Sequence, residues 1–82
     1  MKLFVGNLPF TITEDELRDA FVSVGDVASA KIVVDRMTGK SRGFGFVEMP
    51  NDEQARTAIS QLHDRELKGR KLVVNEARPK DA

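Results

Sequence analysis

The chain has 82 residues, 40% of them apolar and 32% charged, with no cysteine. That length fits one folding unit, whose thin core buries only about 60 to 65% of the unfolded surface, so a binding surface is a better expectation than an enclosed catalytic cavity. The missing cysteines exclude disulfide staples, zinc ribbons and thiol nucleophiles and suit the reducing cytoplasm, while apolar runs of at most three residues, such as Leu3-Phe4-Val5, exclude a membrane span.

Thirteen basic residues cancel thirteen acidic ones, which taken alone argues against a strongly charged partner. Their distribution argues otherwise. Glu14, Asp15, Glu16 and Asp19 outweigh Arg18, whereas Arg36, Lys40 and Arg42 share a stretch with no acid. A second basic stretch holds Lys68, Arg70, Lys71, Arg78 and Lys80 against Glu76 alone. Such runs are commonly no more than a solvated face, and only their placement in space decides.

Residues 2 to 6 alternate with the period of a strand. Thr13-Glu14-Asp15-Glu16 then forms a capping box, and Leu17, Ala20, Phe21 and Val24 recur at helical spacing up to Gly25, expected to supply a left-handed stop. Strand alternation returns over 29 to 35 and 43 to 49. Asn51 caps a second predicted helix with Asp52 and Glu53 in its first turn and Ala55, Ala58, Ile59 and Leu62 as its apolar stripe. A fourth strand follows over 71 to 75, so the order is βαββαβ.

Right-handed crossovers place both helices on the same face of one four-stranded antiparallel sheet and leave the other face open. Alternation assigns Leu3, Val5, Ile32, Val34, Gly45, Val47, Met49, Leu72 and Val74 to the helix-covered face. Gly45 is expected to let a helix approach the sheet. The open face receives Lys2, Phe4, Gly6, Lys31, Val33, Phe44, Phe46, Glu48, Lys71, Val73 and Asn75. Burying the rings instead would bury Glu48 with them and turn Val47 and Met49 to water. Three rings on adjacent strands, about 4.8 Å apart across the sheet and about 6.8 Å apart along it, make a platform spaced for bases.

Residues 42 to 49, Arg42-Gly43-Phe44-Gly45-Phe46-Val47-Glu48-Met49, resemble the RNP1 signature of the RNA recognition motif, and Leu3-Phe4-Val5-Gly6-Asn7-Leu8 resembles RNP2. The resemblance covers nearly the whole chain, read as a single domain over 1 to 82. The close Asn75-Glu76-Ala77-Arg78-Pro79 is similar to the small single-motif RNA-binding proteins of bacteria and their glycine-rich relatives, here without a glycine-rich tail. The family implies an α+β, ferredoxin-like sandwich that binds single-stranded RNA without catalysis or cofactor, as a monomer. By position, Phe4 and Phe46 would each stack on a base, Phe44 would lie between their sugars and Arg42 would neutralise a phosphate. Lys2 and Asn75 would reach backbone or base edges, and the loop over 36 to 41 would close over the strand. The candidate site also takes in Lys31 on the same face, Asn7 in the first motif, Lys40 in the loop and Arg78 in the C-terminal segment, with both basic segments expected beside the rings.

Two features depart from this picture. Met49 stands where RNP1 prefers phenylalanine or tyrosine, at a position that alternation buries, so the change should affect packing and not binding. Overall neutrality argues against high non-specific affinity for polyanions. Other readings are weaker. Gly43-x-Gly45 lies inside a strand and lacks the third glycine of a phosphate loop. The acids over 14 to 19 suit a helix start better than a metal or acid-base cluster. His63 has no second histidine or cysteine to join it as a ligand, and is read as a surface residue. The live alternatives are a protein-interaction module, using the sheet or the helical face, and single-stranded DNA binding, because stacking alone does not distinguish the sugars.

Overall fold

A computed structural model describes residues 1–77, with Ser41 described by its backbone. The elements run β1 (Lys2–Gly6), α1 (Glu14–Val22), β2 (Ser29–Val34), β3 (Ser41–Glu48), α2 (Asp52–Leu62), β4 (Glu66–Leu67), β5 (Arg70–Lys71) and β6 (Val73–Glu76). Four strands form one antiparallel sheet in the order β2-β3-β1-β6, and β4 pairs with β5 in a separate small hairpin. The expected α+β sandwich is therefore present, with β1 and β3 at its centre.

Local chemistry sets the helix starts. The Glu16 amide donates to Thr13 Oγ1 at 3.2 Å and the Thr13 amide to Glu16 Oε1 at 3.0 Å, so the capping box is closed from both sides. The Gln54 amide donates to Asn51 Oδ1 at 3.0 Å in the same way for α2. Leu17, Phe21, Ala55 and Ala58 then turn inward and, with Leu3, Val5, Val47 and Val74, are fully removed from solvent. Met49 belongs to this buried set, as its place in the alternation requires.

Several details differ from the sequence expectation. Helix α1 ends at Val22, with Ser23 as an ordinary right-handed cap, and Gly25 is not among the glycines with positive φ. Glycine is needed at 25 because a Cβ there would fall 2.5 Å from Gln54 Oε1, and that oxygen accepts from the Asp26 amide at 2.9 Å. Gly45 makes room for a strand and not a helix: a Cβ would strike the Lys31 carbonyl and sit 3.1 Å from Ile32 Cα. Val34 is 50% exposed, since β2 is an edge strand whose register shifts between Ile32 and Val34.

The last predicted strand is broken in two. Leu72 is buried, and it is tied to the segment after α2: its amide donates to the Arg65 carbonyl at 3.0 Å and its carbonyl accepts from the Asp64 amide at 2.7 Å. Lys71 is thereby withdrawn from the open face and paired with Glu66 in the hairpin. The turn is made by Lys68 and Gly69, with φ of 52° and 85°.

Side chains from the helix ends reach both outer edges of the sheet. Glu14 at the start of α1 accepts from the Ile32 amide of β2 at 3.2 Å. His63 at the end of α2 is exposed, as expected, and also accepts through Nδ1 from the Val74 amide of β6 at 3.1 Å, so this surface residue is a structural acceptor as well.

Candidate nucleic-acid interface

The register sets the open face. Phe4 on β1 lies opposite Phe46 on β3 and Asn75 on β6, while Phe46 lies opposite Lys31 on β2. These four, with Phe44 two residues before Phe46, form one continuous strip across the sheet. All three rings are half-buried, with centroids 5.7 Å apart for Phe4 and Phe44, 5.9 Å for Phe4 and Phe46, and 6.2 Å for Phe44 and Phe46. Phe44 stands at 89° to Phe46, an edge-to-face contact that fixes both rings without hiding their outer surfaces. Gly6 is buried beneath this cluster, where a Cβ would come within 2.9 Å of the Phe4 ring.

Charge is arranged around the rings. The Lys2 ammonium lies 4.8 Å from the Phe46 centroid, a cation–π contact at an exposed site. Lys2 also faces Glu48 across β1 and β3, and Ser29 faces Glu48 from the other side. Lys2, Ser29, Lys31, Phe46 and Glu48 line a shallow depression of about 230 Å³. Arg42 is exposed near the start of β3, just before Gly43 at φ 86°. Lys40 is exposed at the end of a loop held by its own backbone, in which the Asp35 amide donates to the Lys40 carbonyl at 2.8 Å and the Gly39 amide to the Asp35 carbonyl at 2.7 Å.

One expected site residue is placed elsewhere. Asn7, at φ 57°, turns toward the hairpin: Nδ2 donates to the Lys71 carbonyl at 2.6 Å, and Oδ1 accepts from the Arg70 guanidinium at 3.2 Å. Arg78 lies outside the described residues. The C-terminal basic stretch is also not wholly beside the rings. Lys68 reaches back to α1, with Nζ 2.6 Å from Glu16 Oε2. That hydrogen bond is the main reason the Glu16 carboxyl is held below its usual value, with the Thr13 amide second.

Sequence reasoning overlooked Phe10, which lies in a loop where no alternation flags it. Its ring is 63% exposed, stacks under the Arg70 guanidinium at 5.7 Å and lies beside Gly43. The available signal was a large apolar residue following a proline between two elements. Of the acids over 14 to 19, Glu14, Asp15 and Glu16 lie in the first turn of α1, as the helix-start reading expected, and two of them have structural partners, Glu16 in the capping box and Glu14 on β2.

Comparison with known proteins agrees with this geometry. The family model described as the RNA recognition motif matches residues 3–73. A mitochondrial glycine-rich RNA-binding protein 2 from Arabidopsis thaliana is 50% identical over 76 residues, covering 93% of this chain and 48% of the relative. The chain thus spans about half the length of that relative. The RbpB protein of Nostoc sp. is 44% identical over 81 residues, covering 99% of this chain and 79% of its own. Among solved structures, the RNA-binding protein PG1 superposes with a TM-score of 0.91 at 49% identity, covering 98% of this chain and 99% of PG1. With the matched span and the βαββαβ sandwich both in place, the chain belongs to the RNA recognition motif family.

Proposed function

We propose that the chain binds single-stranded RNA on the open face of its sheet, by stacking and not by catalysis. The observation that carries this reading is the cluster of Phe4, Phe44 and Phe46, three rings within 6.2 Å of one another, with their outer surfaces turned to solvent on the two central strands. One base stacks on Phe4 and the next on Phe46, Phe44 lies between the sugars, and Arg42 meets a phosphate. Lys2, Lys31 and Asn75 stand on the same face to reach base edges or backbone, and the exposed Lys40 would meet the strand from the loop before β3. Asn7 contributes by fixing the hairpin.

In this reading residues 1 to 82 act as one domain, as a monomer without a cofactor, in the cytoplasm that its cysteine-free sequence suits. The name of the Arabidopsis relative carries a mitochondrial location, so a fluorescent fusion decides the compartment. Titration of fluorescent oligonucleotides tests the activity. Single-stranded RNA should bind far more tightly than the same sequence in a duplex, whose paired bases cannot reach the rings. Equal binding of the two forms would refute stacking. DNA of the same sequence measures the contribution of the 2′-hydroxyls. A protein-interaction module that uses the helical face would instead keep its partner after all three rings were removed, and one that uses the sheet would bind a peptide in place of RNA.

A further inference from the structure

Glu48 is, by the strand registers, the acid on the open face among the described residues. It sits between Lys2 and Ser29 at the rim of the Phe46 ring, in the 230 Å³ depression that these residues share with Lys31. Its carboxylate makes no hydrogen bond or ion pair with any described residue. A carboxylate on a surface that receives a polyanion repels the phosphates, and this cost is offset where the carboxylate accepts hydrogen bonds from a base.

The four bases differ in what they offer it. Guanine carries N1–H and N2–H side by side on its Watson–Crick edge, two donors spaced for the two carboxylate oxygens. Uracil presents one N–H between two carbonyls, and adenine and cytosine present one amino group beside a bare ring nitrogen, so each sets a lone pair against the carboxylate. The remaining groups fit the same base. Guanine O6 and N7 are acceptors, and the nearby Lys2 and Lys31 ammonium groups are donors only. Lys2 now lies over the ring at 4.8 Å, where a stacked base would sit, so the base moves this ammonium to its own edge.

We propose that the Phe46 position selects guanine, with Glu48 reading the N1–H and N2–H pair and Lys2 or Lys31 the O6 side. This rests on the stacking reading above. The test uses short oligouridylates carrying one central guanosine, inosine, adenosine or cytidine, titrated against the parent and Glu48→Gln. Guanosine should bind tightest to the parent, by about five- to a hundredfold over adenosine and cytidine. Inosine, which lacks the N2 amino group, should fall between. In Glu48→Gln, whose amide opposes a donor to a donor, the gap between guanosine and inosine should largely close, with an unchanged far-ultraviolet spectrum and melting temperature.

A parent that binds inosine as well as guanosine, or prefers cytidine, overturns the proposal, as does a Glu48→Gln variant that keeps the full gap. Phe46→Ala separates the two layers of the argument. If it retains affinity for all four oligomers, stacking fails and guanine selection with it. If it loses affinity for all four while the parent shows no guanosine preference, only the selection by Glu48 fails.

Discussion

On β3, Val47 is wholly buried against the helices, while Phe46, one residue earlier, is held half exposed on the other side of the sheet. The same contrast runs along β1, where Leu3 and Val5 are buried and Phe4 between them faces outward. Two faces of the same strands thus answer to different demands. The inner face is chosen by volume and apolarity, and its substitution is felt in stability. The outer face holds large rings that the fold does not need to hide, and under the stacking proposal its substitution should be felt in binding.

The largest expected effects come from exchanging one face for the other. Phe46→Ala or Phe4→Ala should remove stacking worth roughly 1 to 3 kcal/mol per base, a loss of about five- to more than a hundredfold in RNA affinity. The melting temperature should stay near that of the parent. Val47→Ala, by contrast, should destabilise the domain by about 1 to 3 kcal/mol, read as a lower midpoint in urea, while the folded fraction binds nearly normally. A Phe46→Ala protein that unfolds beside a silent Val47→Ala would mean that the two faces have been assigned the wrong way round.

Charge on the outer face should give a smaller effect. If Lys2, Arg42 and two further cations reach phosphates, the logarithmic salt slope of binding should lie between about 1 and 3, and removing Arg42 should lower it by about 0.7. A slope unchanged in Arg42→Gln would leave that side chain without a phosphate. The smallest effect concerns the helix side. Glu16 is held below the usual glutamate value, first by Lys68 and then by the Thr13 amide, so its contribution to stability is complete above that value and is lost as pH falls through its folded pKa. Lys68→Met should reduce this acid loss without altering RNA affinity near neutral pH. The check is to compare denaturation midpoints of parent and variant at neutral and acidic pH.

Much of the fold was legible because its signals are local. The capping box at Thr13 and Glu16, the Asn51 cap and the alternation of β1 and β3 each depend on residues a few positions apart, and all are present. The three rings were found by the same period-two count. What remained hidden depends on distant neighbours. Gly25 is set by Gln54, Leu72 leaves the sheet for Arg65 and Asp64, and His63 acquires its role from an amide eleven residues on. Asn7 belongs to a motif that resemblance assigns to the site, yet its amide is engaged by Arg70 and Lys71, a contact that spacing within the motif does not reveal.

The carboxylate of Glu14 on β2 and the imidazole of His63 on β6 also bear on how this domain behaves in a crowd. An open sheet margin offers unpaired amides to any extended chain, and at high local concentration copies of such a domain would join margin to margin. Here one outward amide on each margin is already bound by a side chain of the same molecule. If the proposed binding brings several copies together on one RNA, these two side-chain contacts oppose the joining of their sheets margin to margin. Losing the imidazole would free the Val74 amide, and the first sign would be self-association of RNA-loaded protein and not weaker RNA binding.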